Sequence, residues 1–150
     1  MIEMDGHYKR YNARLYEEND GPAKQALIRL LKGRGHKILN TEETYDADIV
    51  SESQGVLHYN EAEIKKKWTG QWPTYWSEIR IPERKRRLLE KHKGNCLNFF
   101  VFRKDLKQVW RIRKSLMKLE SLKTVKGYDI HPDELFFHIP YTEAELYDVE

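Results

Sequence analysis

The sequence predicts an α/β or α+β fold, in which one mixed central β-sheet is covered by helices around a single core. Three observations point there. Apolar residues recur at helical spacing between 23 and 31, and short alternating or apolar runs bounded by turn signals fill 37–65 and 95–113. The elements then follow in the order helix, three strands, helix, strand, which suits a sheet with helices packed on it.

Asp20-Gly21-Pro22 punctuates the chain and sets Pro22 in a first helical turn. Ala26, Leu27, Leu30 and Leu31 form the apolar stripe of a three-turn helix, and Gly33 and Gly35 stop it. Short strands are expected at 37–40 and 45–51. SESQG, 51–55, reads as a turn, and VLHYNEAEIKKKW as the next strand. Period-two alternation puts Tyr59, Glu61, Glu63 and Lys65 on one face, and His58, Asn60, Ala62 and Ile64 on the other.

TGQWPTYW, 69–76, is an aromatic connection, followed by a short extended piece at 77–81. Pro82 opens a basic helix that Gly94 closes. NCLNFFVF, 95–102, is the most apolar strand and is expected at the sheet centre. A partner strand lies within 103–113, a short amphipathic helix or loop within 115–127, and the tail starts as a strand and ends acidic.

A chain of 150 residues supports one domain, 1–150, with its own core. Four Trp, nine Tyr and five Phe supply enough aromatic mass to fold without metal or disulfide help, which excludes disorder as the default. Cys96 is the single cysteine, so neither an internal disulfide framework nor a thiolate metal site can form within one chain; a buried thiol is the expectation. No apolar run is long enough to span a membrane and no signal-peptide pattern opens the chain, so an intracellular, cytoplasmic protein without a membrane partner is expected.

The densest chemistry lies in 45–68. Asp48 stands in the strand-like run ADIV, where an acid costs desolvation unless a cation compensates it. Hairpin pairing brings Glu63 beside it, and two like charges favour a shared proton or a bound divalent ion. Lys65 shares the strand face of Glu63 and can reach a phosphate oxygen or an attacking water. Such a trio suits phosphodiester hydrolysis. Asp46 and Glu61 have weaker claims, as rim acids.

Asp48-Ile49-Val50 followed by Glu63-Ile64-Lys65 resembles the core motif of the PD-(D/E)XK nuclease superfamily, which includes restriction endonucleases and small junction-resolving enzymes. The resemblance implies a restriction-endonuclease-like α-β-β-β-α-β core over about residues 22–110. It implies that Asp48 and Glu63 ligate Mg²⁺, with Mn²⁺ as a substitute, assisted by the Ile64 carbonyl, with Lys65 near the nucleophilic water. Ala47 stands where the family often has Pro. Resolvase-like members also carry a first-helix Glu; 23–31 offers none, which leaves Glu17 and Glu18 as candidates across the Gly21-Pro22 break.

Lys and Arg concentrate between 65 and 126, in KKKW, RIPERKRR and VWRIRK, which suits a polyanion-facing surface. Lys66, Lys67, Arg84, Lys85 and Arg87 are the expected phosphate contacts, and Trp72 and Trp76 the aromatic contacts, although core packing accounts for at least two of the residues Trp68, Trp72, Tyr75 and Trp76. The six scattered histidines form no metal-ligand spacing, and His58 reads as a packing or hydrogen-bonding residue. The leading expectation is a Mg²⁺-dependent DNA endonuclease, by analogy a homodimer. Its rivals are a non-catalytic nucleic-acid-binding module and an assembly protein that uses the Trp-rich segment as a partner surface.

Overall fold

The computed structural model describes residues 21–40, 48–127 and 130–149. Asp46, Glu17 and Glu18 lie outside them. The fold is mixed α+β with a core made mostly of sheet. Helix α1 spans Gly21–Gly33. It buries Ala23, Ala26, Leu27 and Leu31, the i, i+3, i+4, i+8 positions of one stripe. Its end is a Schellman motif: the His36 N–H donates to Leu31 O at 2.9 Å and the Gly35 N–H to Lys32 O at 3.1 Å. Gly35 sits at φ +90°, a conformation that a Cβ would penalise.

Strands β1 (Lys37–Ile38), β2 (Ile49–Ser53) and β3 (Val56–Lys65) run as an antiparallel meander. β2 extends through Ser53, past the expected end at residue 51, because the turn is only Gln54-Gly55; residues 45–47 of the expected strand lie outside the described residues. Both turn residues have positive φ, 53° and 79°, as a two-residue primed hairpin turn requires. The chain then crosses over through β4 (Glu78–Pro82), a 3-10 turn at Glu83–Lys85 and helix α2 (Arg86–Lys91). It returns as β5 (Cys96–Arg103), parallel to β3, with β6 (Gln108–Arg113) antiparallel beyond it. The basic helix is therefore shorter than the Pro82-to-Gly94 punctuation suggests.

After two 3-10 turns come β7 (Lys123–Thr124), β8 (Leu135–Pro140) and β9 (Glu145–Asp148). The main sheet has the order β1-β2-β3-β5-β6-β9, and β4-β8-β7 form a second, three-stranded sheet. The segment 115–127, expected as helix or loop, thus ends in an edge strand, and the tail supplies a strand to each sheet. β5 is central and its run Leu97 to Phe102 is buried. Cys96 precedes that run and is exposed, which corrects the expected buried thiol.

Each face of the main sheet has its own core. Ile49, Ala62, Phe100, Phe102 and Val109 meet α1 on one face. Leu97, Phe99, Val101, Trp110 and Ile112 meet Ile79, Ile81, Leu88, Phe137, Ile139 and the Trp68–Trp72 pair on the other. Burying a Leu or Phe side chain in such a layer stabilises the fold by about 1.5–3 kcal/mol. Among the described residues, no helix is long and apolar enough to cross a membrane.

Candidate functional site: an acidic cluster around Lys85

The β2–β3 register pairs Val50 with Tyr59 and Ile49 with Asn60. Continued by one residue, it sets Asp48 opposite Glu61, with Glu63 one diagonal step away on the same face. Side chain and backbone lock this corner reciprocally. The Ala62 N–H donates to Asp48 Oδ2 at 2.9 Å, and the Asp48 N–H donates to Glu61 Oε2 at 2.9 Å. Each carboxylate thereby satisfies a backbone donor next to the end of β2.

Lys85 reaches this cluster from the 3-10 turn before α2. Its ammonium donates to Glu61 Oε1 at 2.8 Å and lies 3.8 Å from Glu63 Oε1. The Glu61 side chain is 5% exposed, that of Lys85 15% and that of Glu63 25%, so the pair closes the inner wall and Glu63 opens outward. Burial works against the Lys85 charge. The carboxylates of Glu63 and Glu61, the hydrogen bond to Glu61 and the carboxylate of Asp48 outweigh it and raise the pKa. Asp48, Glu61, Glu63 and Lys85 therefore form one electrostatic unit.

Several predicted site residues meet here and others do not. The register sets Asp48 opposite Glu61 rather than Glu63, and the carboxylates of Glu63, Glu61 and Asp48 all act on Lys85. Lys65, on the same strand face, carries its ammonium 5.2 Å from the centre of the Trp76 ring. Lys85, expected on an outer basic surface, turns inward, because a buried Glu61 needs a cation. Lys66, Lys67, Arg84 and Arg87 are all exposed. Trp72 is 7% exposed and stacks edge-on against Trp68 and Trp110, so it packs the core, while Trp76 is half-buried. Tyr75, at 82% exposure, is the outward aromatic of the segment. Glu61 is buried rather than on a rim, a position visible in sequence only as parity with Glu63.

Asp48 and Glu63 offer hard carboxylate oxygens beside a partly open edge. Magnesium characteristically takes one or two carboxylates and completes its shell with water and substrate phosphate, and this donor set fits that pattern. Among the described residues, no group of three or more His, Cys, Asp or Glu side chains is arranged to enclose an ion. The residues fit an open, substrate-completed site rather than a protein cage. No protein-family model matches the chain, and no curated protein matches it significantly.

Proposed function

We propose that this protein is a Mg²⁺-dependent nuclease that hydrolyses phosphodiester bonds in DNA, with Asp48, Glu63 and Lys65 at its centre and a restriction-endonuclease-like core. The observation that carries the reading is the convergence of Asp48 and Glu63 on Lys85 at the edge of a hairpin held by reciprocal carboxylate bonds. The element order, helix, three-stranded meander, crossover helix and parallel strand, supports the same reading; β4 is an addition within the crossover.

Asp48 and Glu63, with the Ile64 carbonyl, would hold the ion. Bound there, it would supply Lewis acidity to the phosphate and a more acidic water. The ammonium of Lys65 donates to a phosphate oxygen or orients the attacking water, and the cation–π contact with Trp76 sets its starting position. Lys85 holds Glu61 in place through their 2.8 Å hydrogen bond, so that the inner wall stays fixed while charge builds on the phosphate. Lys66, Lys67, Arg84 and Arg87 grip the backbone of the nucleic acid through salt-dependent contacts.

Cleavage of labelled linear, flapped and four-way DNAs in Mg²⁺, Mn²⁺ and EDTA tests this. Metal-dependent cutting lost in Glu63→Ala and Lys65→Ala is expected. The Lys85 ion pair favours a second reading, in which the acids are already neutralised and the protein binds nucleic acid without cutting it. Salt-sensitive DNA binding with no cleavage in either ion would select that reading and end the first.

A further inference from the structure

Between β3 and β4 the chain makes two tight turns that stand on one cluster of indoles. In the first, the Trp68 N–H donates to Lys65 O at 3.1 Å, which sets the exposed Lys66 and Lys67 at the corner. In the second, the Trp76 N–H donates to Pro73 O at 3.0 Å, which sets Thr74 and Tyr75 at the corner. Trp68 is fully buried, its ring packs edge-on against Trp72 at 5.2 Å, and Trp72 packs against Trp76 at 5.1 Å.

Hydrogen bonds fasten both turns to the body of the protein. The Lys104 N–H donates to Trp68 O at 2.9 Å behind the first, and Trp72 Nε1 donates to Trp76 O at 2.9 Å behind the second. On this mount Tyr75 stays 82% exposed, although burying its ring would stabilise the fold. A ring held out by an anchored turn gives up little freedom when a partner stacks on it.

Position and charge identify the partner. The Lys65 ammonium lies 5.2 Å from the centre of the Trp76 ring, and the Trp76 and Tyr75 rings are 6.4 Å apart. Tyr75 therefore stands no more than about 12 Å from the lysine proposed to meet the reacting phosphate, about three or four steps of 3.4 Å along one strand. Lys66 and Lys67, on the companion turn, add positive charge for a phosphate backbone. An exposed aromatic ring beside basic side chains suits base stacking, because every base has a π-face. A base inside a duplex already has neighbours on both faces, and an unpaired one has a face to give.

We propose that Tyr75 stacks on an unpaired base and makes this a site for DNA that carries one, such as a flapped end, rather than for continuous duplex. Lysine contacts to phosphate hold either form, and Tyr75 tells them apart. The cutting of that DNA rests on the nuclease reading; the grip on the base needs no hydrolysis.

The test is fluorescence anisotropy with the full-length protein in EDTA, so that binding is read without cleavage. Three labelled DNAs are compared: a continuous duplex, the same duplex with a single-stranded thymidine flap, and that flap built from abasic nucleotides. The parent protein is expected to bind the thymidine flap about tenfold more tightly than the other two, and Tyr75→Ala to bind all three alike. Tyr75→Phe and Tyr75→Trp should keep the preference, and the salt dependence of Tyr75→Ala should match the parent's, because the lysines set it. Equal binding of the three DNAs by the parent, or a preference that survives Tyr75→Ala, would overturn the proposal and leave the nuclease reading standing. A Tyr75-dependent preference in a protein that cuts none of these DNAs in Mg²⁺ or Mn²⁺ would support the stacked base and end the nuclease reading alone.

Discussion

The Lys85 ammonium sits 2.8 Å from Glu61 Oε1, across 24 residues of sequence, and joins the crossover to the central hairpin. A buried ion pair adds little over an apolar pair of the same shape, yet removing one partner strands the other charge. Lys85→Met is expected to cost about 3 kcal/mol in urea unfolding, and Lys85→Met with Glu61→Leu to recover most of it. The raised Lys85 pKa means that this contribution is complete below its unfolded value and is lost only as pH rises through the folded value. Equal stability of Lys85→Met and the parent protein would show that the pair is not energetically coupled to the fold.

Glu61 and Glu63 share a strand face and divide the work. Glu61→Gln loses the charge that Lys85 and the Asp48 N–H contact, so unfolding should shift by about 2 kcal/mol. Glu63→Gln should keep near-parent stability, because its side chain opens outward, and should abolish the metal-dependent cleavage proposed for this protein. Paired urea melts and cleavage assays read both, and a reversed pattern would exchange their roles.

His36 and His58 give stability a pH dependence. Their rings pack edge to face at 4.8 Å, and burial holds both pKa values below 6.5. The unfolded chain therefore binds protons that the native state refuses, and their stabilisation is present above pH 6.5 and declines as pH falls below it. Melting temperature should drop between about pH 7 and 5.5. The double variant His36→Gln, His58→Gln should flatten that slope; an unchanged slope would assign it to other groups.

Lys114 finishes the end of α2. Its ammonium donates to the carbonyls of His92 at 2.7 Å and Lys93 at 2.8 Å, and also to that of Asn95. These chain-reversal carbonyls have no strand of their own to serve, so a single cation collects them. Lys114→Met should destabilise the protein by about 1–2 kcal/mol in a denaturant melt. No change would mean that water replaces the ammonium without cost.

Gln54 carries φ 53° in the β2–β3 turn, where an L residue with a long side chain is penalised. Gln54→Asn should raise stability by about 0.5 kcal/mol, because Asn adopts this conformation readily before Gly. A higher melting temperature is the readout, and a lower one would show that the Gln54 side chain matters in another way.

Much of the hairpin is legible in the sequence. Gly55 after SESQ marks the turn, and strict alternation assigns Glu61, Glu63 and Lys65 to one face, because the strand period is two whatever the neighbours are. The stop of α1 is equally readable from Gly33 and Gly35. The length of α2 is not, since Pro82 and Gly94 bracket residues that the structure divides among a strand end, a 3-10 turn and a short helix. Composition, period and turn chemistry act over a few residues, and they determined the α1 stripe, the place of Gly55 in the β2–β3 turn and the shared face of Glu61, Glu63 and Lys65. Tertiary structure alone decided that Lys85 turns inward to Glu61, that Trp72 packs the core, that β4, β8 and β7 form a second sheet, and that Arg34, His58 and Arg111 share a cavity. Those outcomes depend on which distant segments share a face, and the burial of a charge or an indole is settled only when its partners arrive.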